Sequence, residues 1–178
     1  GKYRKINGIY KMIKPWQPNY PGPHRWEVIG DIIENNFLTV GAELGVENGE
    51  NVLYLKNRFP NLYIIGVENF SDKPSLKRFK QNEENIKKCL NKFYVMDTIE
   101  ASKLVKNESL DYVFIDADHT YNGVKQDIIH WEPKVRKGGF IIGHDYGHPK
   151  YTGVNKAVNE FYSDFIVAPD CVWYRKKI

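Results

Sequence analysis

Cysteine is scarce in this chain: Cys89 and Cys171 are the only two among 178 residues. Two thiols make neither a disulfide framework nor a zinc cage, so a packed core has to hold the fold, with the thiols reduced and partly buried in it. No apolar run approaches the roughly 20 residues that cross a bilayer, so no membrane partner is expected. The first residues also lack the basic-then-apolar order of a secretory leader. With the reduced cysteines, this makes a cytoplasmic location the expectation. Internal repeats and low-complexity linkers are missing too, which leaves a single domain over 1–178 rather than an array.

The chain does contain enough apolar sequence, 42% of its residues, to bury a full core. The net charge is +4, and the positive charge gathers at the two ends. Lys2, Arg4, Lys5, Lys11 and Lys14 lie in the first stretch, and Arg175, Lys176 and Lys177 close the chain. A basic patch can meet phosphate, but solvated tails explain such charge equally well. Pro15, Pro18, Pro21 and Pro23, with Gly22, make the end of 1–23 an irregular, basic, Pro-rich lead-in, neither helix nor central strand.

Beyond residue 23 the pattern alternates. Helical spacing runs over 24–35, 51–58, 71–90, from 99, over 121–135 and from 152, where Thr152 is the expected cap. Short apolar strands are expected at 37–44, 62–67, 92–96, 110–115 and 140–143. Segments 165–167 and 171–174 read as a final antiparallel pair. This predicts an α/β fold: a Rossmann-like three-layer sandwich with a mostly parallel seven-stranded sheet and a C-terminal antiparallel strand pair. Ligands of such sheets sit beyond the carboxyl ends of the strands, so the loops there carry the functional reading.

The first of these loops is Glu43-Leu44-Gly45-Val46-Glu47-Asn48-Gly49, an acidic-x-Gly-x-x-x-Gly turn. Gly45 leaves the strand where a side chain is expected to collide with a ligand, and Gly49 lets the next helix start close by. A pyrophosphate site prefers Gly-x-Gly-x-x-Gly with bare backbone. Here Glu43 and Glu47 add carboxylates that suit a cofactor carrying an ammonium and a sulfonium. Glu68 ends the next strand, 23 residues after Gly45, where a carboxylate can accept both ribose hydroxyls.

On these residues the chain resembles the class I S-adenosylmethionine (SAM)-dependent methyltransferases. The resemblance implies SAM as cofactor, held by Glu43, Gly45, Val46, Glu47, Asn48, Gly49 and Glu68. Asp97 and Thr98 would lie at the adenine, although Asp97 can equally cap the following helix. The stretch Phe114-Ile115-Asp116-Ala117-Asp118-His119-Thr120-Tyr121, followed by Gly138-Gly139-Phe140-Ile141-Ile142-Gly143-His144-Asp145-Tyr146, narrows the likeness. It is similar to the small-molecule and sugar O-methyltransferases, a family 24-like group related to catechol- and macrolide-sugar O-methyltransferases. In metal-dependent members, the aspartate ending the fourth strand and an acidic pair ending the fifth bind a divalent ion. Carried over here, these are Asp116, His144 and Asp145, with Asp116 also beside the cofactor. Carboxylates suit Mg²⁺ or Mn²⁺, and the imidazole tilts the choice toward Mn²⁺. His144 departs from the family's carboxylate, which leaves open a metal-free version with His144 or His119 as general base.

The implied reaction carries the SAM methyl group in line to a substrate oxygen, with Asp116, His144 and His119 as the catalytic set. The expected acceptor is a hydroxyl of a small molecule, by resemblance a saccharide, with Tyr146 and Tyr151 placed to stack on a sugar face. Other classes remain on the table. A nucleotide-binding oxidoreductase lacks its third-glycine pattern. A nucleic-acid-directed methyltransferase would use the basic ends but lacks an Asn/Asp-Pro-Pro-aromatic motif. A non-catalytic binding module fits the short length. The oligomeric state is left open, a homodimer included.

Overall fold

The structure, a computed structural model, describes residues 3–6, 9–12 and 16–178; Lys2, Lys14 and Pro15 lie outside them. The elements run β1 (Tyr3–Ile6), β2 (Ile9–Met12), α1 (Arg25–Asn36), β3 (Val40–Leu44), α2 (Glu50–Arg58) and β4 (Tyr63–Glu68). There follow α3 (Lys73–Lys80), α4 (Glu83–Cys89), β5 (Lys92–Val95), α5 (Thr98–Ser102), β6 (Leu110–Ile115) and α6 (Tyr121–Trp131). A 3₁₀ turn at Glu132–Lys134 leads to β7 (Val135–Gly143), α7 (Thr152–Phe161), β8 (Ile166–Val167) and β9 (Trp173–Lys176).

The strands form one sheet in the order β1-β2-β8-β9-β7-β6-β3-β4-β5. From β7 to β5 every neighbouring pair is parallel, while β9 runs antiparallel to both β7 and β8. Strand residues alternate between two cores. In β6, Tyr112 and Phe114 pack with α1 and α2, whereas Val113 and Ile115 face α6 and α7. Burial on both faces explains why β4 and β6 read as nearly continuous apolar runs. On α6, Val124, Ile128 and Trp131 form the buried stripe, each worth roughly 1.5–3 kcal/mol of apolar burial. Chain order reverses at β3: β4 is paired on one side of it and β6 on the other. A crevice therefore opens beyond their carboxyl ends.

The sandwich and the terminal antiparallel pair match the expectation, but the sheet has nine strands rather than seven. The basic N-terminal segment supplies the extra two. It folds as the β1–β2 hairpin, and β2 pairs parallel to β8 through Tyr10↔Ile166 and Lys11↔Val167. Residues 16–24 form neither helix nor strand, as their prolines require. Several boundaries moved, the strand expected over 37–44 beginning only at Val40. The helix expected over 71–90 breaks into α3 and α4, with Asn82 at the junction before the second. The helix expected over 121–135 stops at Trp131, because Pro133 sits in the 3₁₀ turn, and β7 begins at Val135 instead of 140. Thr152 is the first helical residue of α7 rather than its cap, which is Tyr151.

Candidate active site

The crevice is a cleft of about 880 Å³, within the usual size of a small-molecule site. The glycine loop forms its near wall. Gly45 has φ +88°, and a Cβ there would lie 2.2 Å from the carbonyl oxygen of Asp116. The close approach that forces glycine is thus to the end of β6. Gly49 caps α2 at φ +78°, and its Cβ would strike Ile86 in α4. Of the loop residues named from sequence, Gly45 and Glu47 line the cleft. Val46 is buried in the core between sheet and helices, and Asn48 turns back to accept from the Glu50 amide at 3.3 Å.

The loop carboxylates do not stand as free negative charges. Glu43 is buried and takes 2.6 Å donation from Asn51 Nδ2; burial pushes its carboxyl up to about 8. Glu47 is ion-paired with Arg78 of α3. Neither therefore supplies the free carboxylate charge expected to suit an ammonium and a sulfonium. Glu68 remains: it ends β4, lines the cleft, and accepts from the amides of Glu47 at 2.9 Å and Phe70 at 3.2 Å. Each oxygen keeps a lone pair for a ligand hydroxyl. Asp97 caps α5 through the Ile99 amide at 2.8 Å and also lines the cleft, beside Thr98.

At the far wall, β6 and β7 end side by side, paired Ile115↔Gly143. Their next residues converge. Asp116, His144 and Asp145 each present a ligand atom, all within 4.8 Å of one another. Asp145 holds a left-handed φ of 64°, an uncommon conformation for a residue other than glycine. His119 joins them, its Nε2 2.8 Å from Asp145 Oδ2 and 3.4 Å from Asp116 Oδ1. His144 Nδ1 stands 3.4 Å from Asp145 and 3.6 Å from Asp116. Hydrogen bonds to Asp116 and Asp145 raise His119 to about 10. Burial opposes the charge of His144, but the carboxylates around it win and lift its pKa well above the ordinary range. Burial likewise works against the two aspartates, and the imidazoles hold both below theirs.

Residues 42–146, more than half of the chain, match the family described as "Methyltransferase domain". The chain belongs to the class I SAM-dependent methyltransferases. No curated protein gives a sequence match. Among solved structures, the O-methyltransferase NovP aligns at 16% identity over 86% of this chain and 79% of its own, with TM-score 0.64. An O-methyltransferase from Bacillus cereus in complex with S-adenosylhomocysteine (SAH) aligns at 15% identity, covering 90% and 84%, with TM-score 0.62. CalS11, a TDP-rhamnose 3'-O-methyltransferase of calicheamicin biosynthesis, aligns at 16% identity, covering 84% and 77%, with TM-score 0.60. At such identities the likeness is one of fold.

Sequence reading gave no role to Arg25 and Asp127, which line this methyltransferase cleft, or to Asp170 behind them. Arg25 enters it from the start of α1, and its amide donates to Asp170 Oδ2 at 2.7 Å. Asp170, in the β8–β9 turn, also lies 3.9 Å from His144 Nε2. Asp127 of α6 is buried against the cleft and accepts from the Thr98 hydroxyl at 2.5 Å; burial raises it to about 7. It lies three residues after Val124 and four before Trp131, on the buried face of α6, a polar residue within the apolar spacing that the sequence already displayed. Tyr151 stacks on His119 with centroids 4.4 Å apart and lines the cleft. Tyr146, its expected companion, is instead buried, its hydroxyl donating to Asn159 at 3.0 Å. His148 and Trp16 continue the aromatic row outward from Tyr151, at 4.8 and 5.3 Å.

Proposed function

We propose that this methyltransferase transfers the SAM methyl group to a hydroxyl of a small polar acceptor, a saccharide in the first instance, with a divalent ion assisting. The observation that carries the reading is the convergence of Asp116, His144 and Asp145 at the cleft floor, next to the glycine loop.

The cleft suits both absent groups. For the nucleoside, Glu68 offers unfilled carboxylate lone pairs at the end of β4, and Asp97 and Thr98 stand at the adenine end. For the ion, two carboxylates and one imidazole form a mixed oxygen and nitrogen set that favours Mn²⁺ over Mg²⁺. When bound, SAM supplies the electrophilic methyl group and the ion acidifies the acceptor hydroxyl. The chain's own part is positioning. Glu68 and the glycine loop fix the nucleoside, and Gly45 brings that loop against Asp116, so donor and acceptor sites share one rigid junction. His119, bridged to both aspartates, is placed to hold a proton at its Nε2 beside the acceptor. Tyr151, stacked on His119, offers an aromatic face at the same mouth, which suits the apolar face of a sugar ring.

Support for the acceptor class also comes from CalS11, which shares the fold and whose own acceptor is TDP-rhamnose. A crystal grown with SAH and Mn²⁺ tests the reading together with a turnover screen over hydroxylated acceptors. Density for SAH on Glu68, an ion on Asp116 and Asp145, and chelator-sensitive methylation of a sugar hydroxyl are expected. SAH binding with no turnover on any hydroxyl acceptor would overturn the O-methylation reading.

A further inference from the structure

Arg25 stands in the crevice between the glycine loop and the end of β6. Its base is fixed by the amide donation to Asp170, and its guanidinium lies 5.2 Å from the ring of Trp26. One terminal nitrogen reaches Glu50, the first residue of α2, at 3.5 Å. The inward nitrogen, Nε, is ion-paired with Asp116 Oδ2 at 3.9 Å, beyond hydrogen-bond reach, and is buried without a hydrogen-bond partner. A buried N–H left without a hydrogen-bond acceptor is costly, so a ligand group that accepts from it gains accordingly. Asp116 does not supply that partner, because it is already faced by His119 and His144.

A ligand anion in this crevice has few other places to go. Backbone amides at a helix start ordinarily take that role. Here the amides of Gly45 and Gly49 donate to Val67 and Val46, and those of Glu47 and Glu50 donate to Glu68 and Asn48. Eight of the described residues lining the cleft are carboxylates, against two arginines and two imidazoles, His119 and His144, which Asp116 and Asp145 already engage. Arg78 is paired with Glu47. An acidic wall welcomes the ammonium and sulfonium of SAM but repels its carboxylate unless a cation is waiting.

We propose that Arg25 is the cofactor's carboxylate anchor: its guanidinium, with Nε inward, binds the amino-acid carboxylate of SAM and SAH at the glycine-loop end of the cleft. This rests on the cofactor reading above. The fork geometry of arginine suits a carboxylate bidentately.

Isothermal calorimetry with SAM and with decarboxylated SAM, which keeps the sulfonium and the amine, tests it. Wild-type protein should bind SAM about ten- to a hundredfold more tightly than the decarboxylated compound, the yield of one charge-assisted pair. Arg25→Gln should bind both compounds alike, at the level of the decarboxylated one. Absence of a preference in the wild type, or its persistence in Arg25→Gln, would overturn the assignment. Wild-type protein that binds neither compound would instead overturn the cofactor reading. Thermal unfolding establishes that the variant is folded. If it is not, Arg25→Lys, which keeps the charge but loses the fork, should show a reduced preference, and an undiminished one overturns the proposal.

Discussion

Single carboxylates in this cleft do different work because their surroundings differ. Glu68 ties the glycine loop to β4 through the Glu47 and Phe70 amides and faces the cleft with what remains. Glu68→Ala should therefore raise the dissociation constant of SAH by at least about tenfold, since charged hydrogen bonds of about 1.5–3 kcal/mol are lost; calorimetry checks it, and unchanged affinity removes Glu68 from the site. Asp116→Asn should cut turnover by about a hundredfold or more, with a smaller loss of SAH affinity because Asp116 faces His119 and His144 on one side and Arg25 on the other. Asp127 carries a pH prediction. Burial raises it from 3.8 to about 7, so between those values the folded state holds a proton that the unfolded chain has released. Stability then falls as pH rises from about 4 to about 7, with a slope of up to about 1.4 kcal/mol per pH unit from this group, and levels off above. Asp127→Asn should flatten that fall, read as urea midpoints at pH 5 and 7.5. Glu43, raised to about 8, gives the same sign and leaves part of the slope in place.

At the scale of elements, the β3–α2 turn is where fold and chemistry are hardest to separate. Gly45→Ala would place a methyl group against the Asp116 backbone at a φ that L side chains rarely adopt. A loss of about 2 kcal/mol or more in denaturant unfolding is expected, together with weaker SAH binding, because the only relief is to push the β6 end away. That turn was legible in the sequence, as were β4 and β6, since a strand buried on both faces writes an apolar run that no solvent-facing element copies. Glu68, Asp116 and Asp145 were legible for the same reason, as each lies at or within two residues of the end of such a run. The β1–β2 hairpin was not. Its partner β8 is two residues long and lies over 150 residues away, so nothing local announces the pairing. Arg25 and Asp170 meet from 145 residues apart, and each alone looks like an ordinary helix start and turn residue. The break between α3 and α4 escaped because Leu76, Phe79, Ile86 and Leu90 keep helical spacing across it, although Phe79, Ile86 and Leu90 all reach the same core.

For the whole molecule, the cleft lies across the reversal of chain order, with β4 and α3 on one side and β6 and β7 on the other. A nucleoside bound from Glu68 to Asp116 would tie the two sides of β3 together. Since β3 is paired to both β4 and β6, neither side should unfold alone, and a ligand contacting both stabilises the single global transition. Free ligand at a hundred times its dissociation constant contributes about 2.7 kcal/mol. In a domain of this size each kilocalorie moves the melting temperature by about 2–4 °C. Saturating SAH should therefore raise it by about 5–10 °C. Adenosine, which reaches only the β4 side, should raise it less at the same concentration. Mn²⁺ should add its own increment through the Asp116 and Asp145 carboxylates, one that a chelator reverses and that Asp145→Ala abolishes. The increment matters because like charges gathered at the cleft floor oppose folding unless balanced, here by the protons on His119 and His144 or by an ion that His144 helps to hold. A melting curve that responds to SAH but not to Mn²⁺ would leave the nucleoside site standing and remove the metal from the mechanism.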